Sequence, residues 1–329
     1  MKAVRVRELG EPKDVLRVED VEPPRPGPGQ VLVRVRAAAV NFPDALLCRG
    51  GYQVRPPLPF TPGLELCAEV VETGEGVTGV RAGERVLGSA ELPTGAFAEY
   101  ALMRADAVYP APAALTDPEA ASLFIGYQTG WFALHRRAGL REGETVLVHA
   151  AAGGVGSAAI QLAKAAGARV VGVVGGADKA KVARELGADV VVDRRTEDFV
   201  QVVKEFTGGR GADVVFDPVG GDSFTRSTKC IAFEGRILVI GFASGTIPTP
   251  GLNHALIKNY SLVGLHWGLY RDRAPQVIAE CHEQLADLAE RGLVKPLVSE
   301  TLPLDRLADG VQRLADGSTI GRLVYVPAP

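Results

Sequence analysis

The chain has 329 residues, 47% of them hydrophobic and 23% charged, with a formal net charge of -3. That length favours two domains over one, and the composition is that of a globular enzyme. Lys and Arg are dispersed with no long basic block, which argues against a nucleic-acid partner, and no apolar run is long enough for a membrane span.

The first residues, Met1-Lys2-Ala3-Val4-Arg5-Val6-Arg7, alternate apolar and basic side chains. That pattern predicts a strand and lacks the unbroken apolar core of a secretory signal, so a cytoplasmic location is expected. The cysteines, Cys48, Cys67, Cys230 and Cys281, are scattered with no CxxC pair. They are read as packing residues rather than as a disulfide framework or a metal site.

Residues 1 to about 110 read as β-rich by period-two alternation. Val31, Val33 and Val35 alternate with Leu32, Arg34 and Arg36, and short β-like runs follow at 67–71 and 85–88. Turn material separates them at Pro23-Pro24, Pro26-Gly27-Pro28-Gly29, Pro56-Pro57 and Gly74-Glu75-Gly76. Many short strands with such punctuation predict a small barrel-like domain. The texture changes at Thr116-Asp117-Pro118-Glu119, a capping box with Pro in the first turn. Strands are then predicted at 145–149, 169–174, 189–192, 213–216, 236–240 and 262–265, with helices between them, among them 154–166 and 178–186. This alternation implies a parallel, doubly wound sheet. A long helix is predicted from Ala274 to Arg291, and a last strand at 322–326.

The most informative motif is His149-Ala150-Ala151-Ala152-Gly153-Gly154-Val155-Gly156-Ser157, between a predicted strand and helix. A dinucleotide-binding turn belongs there. Small residues let the backbone approach a pyrophosphate, and the free N–H groups of the helix start bind its oxygens. In the GxGxxG frame Ala151 fills the first glycine position, followed by Gly153 and Gly156. Ala152, Gly153, Gly154, Val155 and Gly156 are therefore the predicted phosphate-binding residues. NAD enzymes usually carry an acidic residue at the end of the second strand, for the ribose 2′-OH. Val174 fills that position here, and Asp178 is read as a helix N-cap. Lys179 and Arg194 are cations suited to a 2′-phosphate, so NADPH is preferred to NADH.

Gly143-Glu144-Thr145-Val146-Leu147, the turn through Gly156, and Gln161 and Lys164 together resemble the signature of the quinone oxidoreductase/zeta-crystallin branch of the medium-chain dehydrogenases/reductases. Val40-Asn41-Phe42-Pro43-Asp44 resembles its substrate-side loop and Pro62-Gly63-Leu64-Glu65 its Gly-x-Glu turn. Phe216-Asp217-Pro218-Val219-Gly220-Gly221 and Ile240-Gly241-Phe242-Ala243-Ser244-Gly245 resemble its late cofactor segments. The resemblance spans essentially the whole chain and is nearest to the quinone oxidoreductase-like subgroup. It implies an α/β fold: a Rossmann doubly wound parallel sheet over 122–265, and a GroES-like, β-barrel-type catalytic domain over 1–121 completed by 266–329. It also implies a homodimer or homotetramer, with the nicotinamide held in a cleft.

Zinc members of the superfamily place a Cys where this chain has Asn41 and a His where it has Leu64, and their structural-zinc lobe has four cysteines where 88–100 has none. Asn is a poor zinc ligand and Leu is none, so no metal is expected. Without that electrophile, soft acceptors suit the site better than simple ketones. A quinone, or an alkene conjugated to a carbonyl, spreads the incoming charge over a π system, and hydrogen bonds at oxygen suffice. The expected reaction is hydride transfer from nicotinamide C4 to such an acceptor.

The resemblance nominates Asn41 for the ribose or the acceptor oxygen, and Thr129 for the nicotinamide end of the cofactor. Tyr52 and Tyr127 are nominated as hydrogen-bond or proton donors, each also readable as a packed side chain. Gly241 and Phe242 are placed at the end of the fifth strand, where ligands bind. Trp267, like Phe42, is read chiefly as core. None of His135, His149, His254, His266 and His282 is paired at metal spacing, and His149 is read as buried and structural. No Gly-x-Ser-x-Gly elbow supports a hydrolase. The leading reading is an NADPH-dependent quinone reductase. The alternatives are an enoyl or alkenal reductase, an NADPH-binding structural protein without turnover, and a zinc alcohol dehydrogenase.

Overall fold

The computed structural model describes residues 1–328. Their contacts divide the chain into two compact units, Met1–Ile125 with His282–Pro329, and Gly126–Cys281. The sequence places the corresponding junctions at 121/122 and 265/266, four and sixteen residues earlier than these.

The first unit opens with β1 (Lys2–Val6), a one-turn helix α1 (Pro12–Val15) and β2 (Leu16–Asp20), which pairs antiparallel with β1. Next come β3 (Gln30–Ala39), α2 (Phe42–Cys48), β4 (Glu65–Thr73), β5 (Arg85–Ser89), β6 (Tyr100–Arg104) and β7 (Val108–Pro110). Val31, Val33 and Val35 are buried while Arg34 and Arg36 reach solvent, as a period of two requires. Helix α3 (Asp117–Trp131) begins where expected: the Glu119 carboxylate accepts both the Thr116 N–H and the Thr116 hydroxyl.

The second unit carries β8 (Thr145–His149), α4 (Gly154–Ala165), β9 (Arg169–Val174), α5 (Ala177–Glu185), β10 (Val190–Asp193), α6 (Phe199–Phe206), β11 (Ala212–Asp217), α7 (Gly221–Ser227), β12 (Ile231–Val239), α8 (Leu252–Lys258) and β13 (Ser261–Gly264). Its six strands lie in the order β10-β9-β8-β11-β12-β13, and every neighbouring pair is parallel. That is the order of a doubly wound Rossmann sheet, with the switch point between β8 and β11. The strands are Val-rich because both faces are covered, and Leu147, Val171, Val192, Val215 and Ile237 are buried with Phe199 and Phe224.

The chain then passes through α9 (Gly268–Arg273) and α10 (Pro275–Glu290) to β14 (Val298–Leu302), α11 (Leu307–Ala315) and β15 (Arg322–Tyr325). β15 pairs antiparallel with β3 and parallel with β14, so the chain's last strand lies in the first unit's seven-stranded sheet. Helix α11 buries Leu307, Gly310 and Val311 against the same core as Phe60, Leu66, Phe97 and Met103. All four cysteines are free thiols, buried among these packed residues. Among the described residues no helix is long and apolar enough to cross a membrane.

Candidate functional site

In the second unit the chain leaves β8 at His149 and turns through Ala150, whose φ of 50° is left-handed, before α4 starts at Gly154. The Gly153 N–H closes this turn on the Ala150 carbonyl at 2.8 Å. Gly156 is fixed by close approach: a Cβ there would lie 2.2 Å from the Ala150 oxygen. The first-turn N–H groups of α4 have no partner within the helix and form the positive end of its dipole. They lie at the carboxyl end of β8, beside the switch point. His149 is buried and shares a 2.8 Å hydrogen bond with Ser227 Oγ. Burial, with a smaller push from Arg226, lowers its pKa to about 3, so it stays neutral and structural as expected.

The end of β9 is the second feature. Val174 is buried where an acidic residue would mark NAD. Asp178 does not cap α5, contrary to the sequence reading. The cap position is Gly176, with φ of 103°, and Asp178 lies in the first turn. That backbone conformation favours glycine, which moves the cap two residues upstream. Asp193 Oδ1 accepts the Gly176 N–H at 2.9 Å and the Arg195 N–H at 3.1 Å, locking the loop after β9 to the turn after β10. Arg194 packs over Gly175 and Arg195 over Gly176: added Cβ atoms would lie 3.3 Å and 2.9 Å from their guanidinium nitrogens. Burial lowers the pKa of Lys179, and the charges of Arg194 and Arg195 lower it further. Three cations thus crowd one loop end. Arg195 and Asp193 escaped the sequence reading, although Asp193-Arg194-Arg195 directly after a strand was a usable signal.

Gly241 and Phe242 lie just past β12, which stops at Val239. Strand pairing ends early because Ala243 N–H and Ser244 N–H bond instead to the Pro218 and Val219 carbonyls, folding this loop onto the one after β11. Asp217 Oδ1 ties that second loop by accepting the Val219 and Gly220 N–H groups. In α3 Tyr127 is buried and Thr129 half-buried, and Trp267 donates to Gln128 Oε1 at 2.9 Å in a packed position.

In the first unit, Tyr52 is half-buried beyond α2, and Asn41 caps that helix from a buried position. Both Asn41 amide hydrogens are already engaged, by Ala39 O at 3.2 Å and Glu65 Oε1 at 3.0 Å, and its Oδ1 accepts from Arg322 Nη2 at 3.0 Å. It therefore has no N–H left for a ribose or an acceptor oxygen, the role its position suggested. Glu65 and Arg322 are a buried ion pair, and Glu65 Oε2 accepts the Ile125 N–H of α3 at 2.6 Å. Asp44 is wholly buried and accepts the Asn41 and Gly63 N–H groups. Burial raises its pKa to about 7 and lowers that of Arg322 to about 10.

These residues do not fit zinc. At the two positions where zinc relatives carry ligands, one side chain is the saturated Asn41 and the other is the hydrocarbon Leu64, and a guanidinium lies between the remaining oxygens. Among the described residues no group of three or more His, Cys, Asp and Glu could hold a metal ion.

Comparison with known proteins agrees with this architecture. A family model described as "Alcohol dehydrogenase GroES-like domain" matches residues 27–113, and one described as "Zinc-binding dehydrogenase" matches 154–283. Quinone oxidoreductase-like protein 2 homolog of Nematostella vectensis is 39% identical over 98% of this chain and 88% of its own length. A solved mycobacterial protein complexed with NADPH superposes with a TM-score of 0.91, at 34% identity over 99% of this chain and 100% of that one. Escherichia coli quinone oxidoreductase complexed with NADPH also gives 0.91, at 31% identity over 99% and 100%. With a GroES-like unit, a Rossmann unit and relatives matched along nearly its whole length, the chain is an oxidoreductase of the medium-chain dehydrogenase/reductase family, in its quinone oxidoreductase-like branch.

Proposed function

We propose that this chain is an NADPH-dependent, zinc-independent reductase of quinones. The observation that carries the cofactor choice is the cluster of Lys179, Arg194 and Arg195 at a strand end where Val174 replaces the acidic residue of an NAD site. The NADPH complexes of the two solved relatives support it. NADPH, when bound, would supply the hydride, so that quinone, NADPH and one proton give the hydroquinone and NADP⁺.

Within Ala152–Gly156, Gly153 closes the turn through its own N–H and the other backbone N–H groups would hold the pyrophosphate, while the three cations would hold the 2′-phosphate. Gly241, Phe242 and Thr129 are assigned to the nicotinamide end. Tyr52 and Tyr127 are assigned to the acceptor oxygen as hydrogen-bond or proton donors. Asn41 acts as an anchor of its loop, since its own donors are engaged. The zinc-independent reading rests on the saturated Asn41 and the apolar Leu64.

The test follows NADPH and NADH oxidation against naphthoquinones, alkenals and enoyl-CoA esters, together with metal analysis. Quinone turnover preferring NADPH, without stoichiometric zinc, is the expected result. Turnover of only the C=C acceptors would transfer the assignment to an enoyl or alkenal reductase. Tight NADPH binding without any turnover would leave a binding protein, and alcohol oxidation with bound zinc would refute the proposal outright.

We further assign a cytoplasmic, homodimeric protein. The buried free thiols suit a reducing compartment. Helix α8 buries none of its residues, with Leu252, Leu256 and Ile257 at 74%, 78% and 73% exposure, beside the uncharged edge strand β13. Such an edge is a pairing liability in a monomer, and a two-fold copy covers it. Light scattering should give a dimer, and Leu256→Asp a monomer.

A further inference from the structure

The first unit buries two carboxylates and one guanidinium, and no step proposed above uses them. Asp44, Glu65 and Arg322 come from positions far apart in the chain and meet around Asn41. Burying the Glu65 anion without a cation is strongly unfavourable, and the Arg322 guanidinium paired with it supplies that cation. Its placement is specific. One nitrogen, Nη2, serves both Asn41 Oδ1 and Glu65 Oε1, while the other Glu65 oxygen holds the α3 backbone at Ile125. Asp44 fastens the start of α2 to the turn at Gly63. Four segments are thereby joined: the loop at 39–44, the turn at 63–65, α3 and the last strand β15.

We infer that Arg322 takes over the cross-linking task that a bound metal performs in zinc-dependent members, as a positioning residue that fixes the 39–44 loop for acceptor reduction. This rests on the zinc-independent reading above. A metal ties ligands from separate segments to one rigid point. Here the planar guanidinium ties an amide oxygen and a carboxylate in the same way, with orientation as well as charge. Lys carries a single point charge on a flexible stem and cannot reproduce that geometry. The protein therefore carries its cation in its own sequence, on β15, and the loop is set only when β15 has docked on β3.

The test uses the full-length protein with Arg322→Ala, Arg322→Lys and the paired Arg322→Met/Glu65→Leu. Quinone kcat and KM, NADPH affinity by fluorescence, and amide hydrogen exchange are measured with and without methylguanidinium. For Arg322→Ala the expected result is a kcat lowered about tenfold or more, with NADPH affinity within about twofold of the parent. Exchange should quicken in 39–48 and 60–68, at Ile125 and in β15, and nowhere else. Methylguanidinium should restore both readouts, while methylammonium, zinc and the Lys variant should not.

An unchanged kcat overturns the inference. So does a parallel loss of kcat, NADPH affinity and protection throughout the unit, or rescue by zinc. If Arg322→Ala does not fold, the paired variant, which removes both charges together, decides: a folded protein with parental kcat and loop protection overturns the proposal. If the parent reduces no acceptor, the quinone assignment fails on its own, and exchange with methylguanidinium rescue still decides the role of Arg322.

Discussion

The two units handle charge by opposite means. The second unit prepares a phosphate site from backbone N–H groups and cations, nearly all within 150–156 and 175–195, with Arg194 and Arg195 exposed. The first unit neutralises its charges internally, with Arg322 reaching Asn41 across 281 positions of sequence. A cation cluster is poised for binding because its repulsion is relieved by an arriving anion. A closed network is poised for rigidity, because every partner removed leaves another buried group unsatisfied.

Breaking the first unit's network should give the largest effect. Glu65→Leu strands the Arg322 cation in the interior, and a loss of about 3–5 kcal/mol is expected in urea denaturation. A loss as small as that of a surface substitution would mean the pair contributes nothing. In the second unit, Gly156→Val drives a side chain into the Ala150 carbonyl. NADPH affinity should fall by about two orders of magnitude by fluorescence titration, with an overpacking cost of about 1–3 kcal/mol. Retained affinity would remove the phosphate turn from the site. Replacing Arg194 and Arg195 together by Ser should weaken NADPH about tenfold or more and leave NADH within about twofold. Equal losses for both cofactors would show that these cations do not read the 2′-phosphate.

A last pair of effects concerns pH, and here the units should oppose each other. The carboxyl group of Asp44 has its folded pKa raised from 3.8 to about 7 by burial. The folded state therefore binds the proton more tightly, and its contribution to stability falls as pH rises through that window. His149 has its folded pKa lowered from 6.5 to about 3, so the unfolded state binds the proton more tightly and stability rises with pH between those values. Asp44→Asn should flatten the decline, and His149→Gln the rise, in denaturation followed across the pH range. Identical pH profiles for parent and variants would contradict both assignments.

Much of the second unit was legible in advance. Its strands alternate with helices at short spacing, and β8 and β9 begin and end where the apolar runs do. Two departures fell where backbone conformation overrode side-chain preference: Gly176 takes the cap from Asp178, and the loop past Val239 bonds to Pro218 and Val219 instead of extending β12, which itself begins at Ile231, five residues before the expected strand. The first unit was less legible. Its turns and alternation mark a β-rich domain, and Asn41, Asp44 and Glu65 stand in recognisable motifs. Nothing near them in sequence announced Arg322, and Asn41 looked available as a donor because two of its three partners, Glu65 and Arg322, are distant in sequence.

The amino-acid order alone determined what is local: the phosphate turn, where each residue acts through its own backbone within a few positions, and the strand–helix rhythm that makes the sheet parallel. Tertiary structure decided which charges meet. Arg322 reaches Asn41 and Glu65 only because β15 pairs with β3 beside β4, and strand order in a sheet is set by packing between distant segments. The same holds for the cations at the end of β9, which converge because a parallel sheet brings the carboxyl ends of successive strands to one edge.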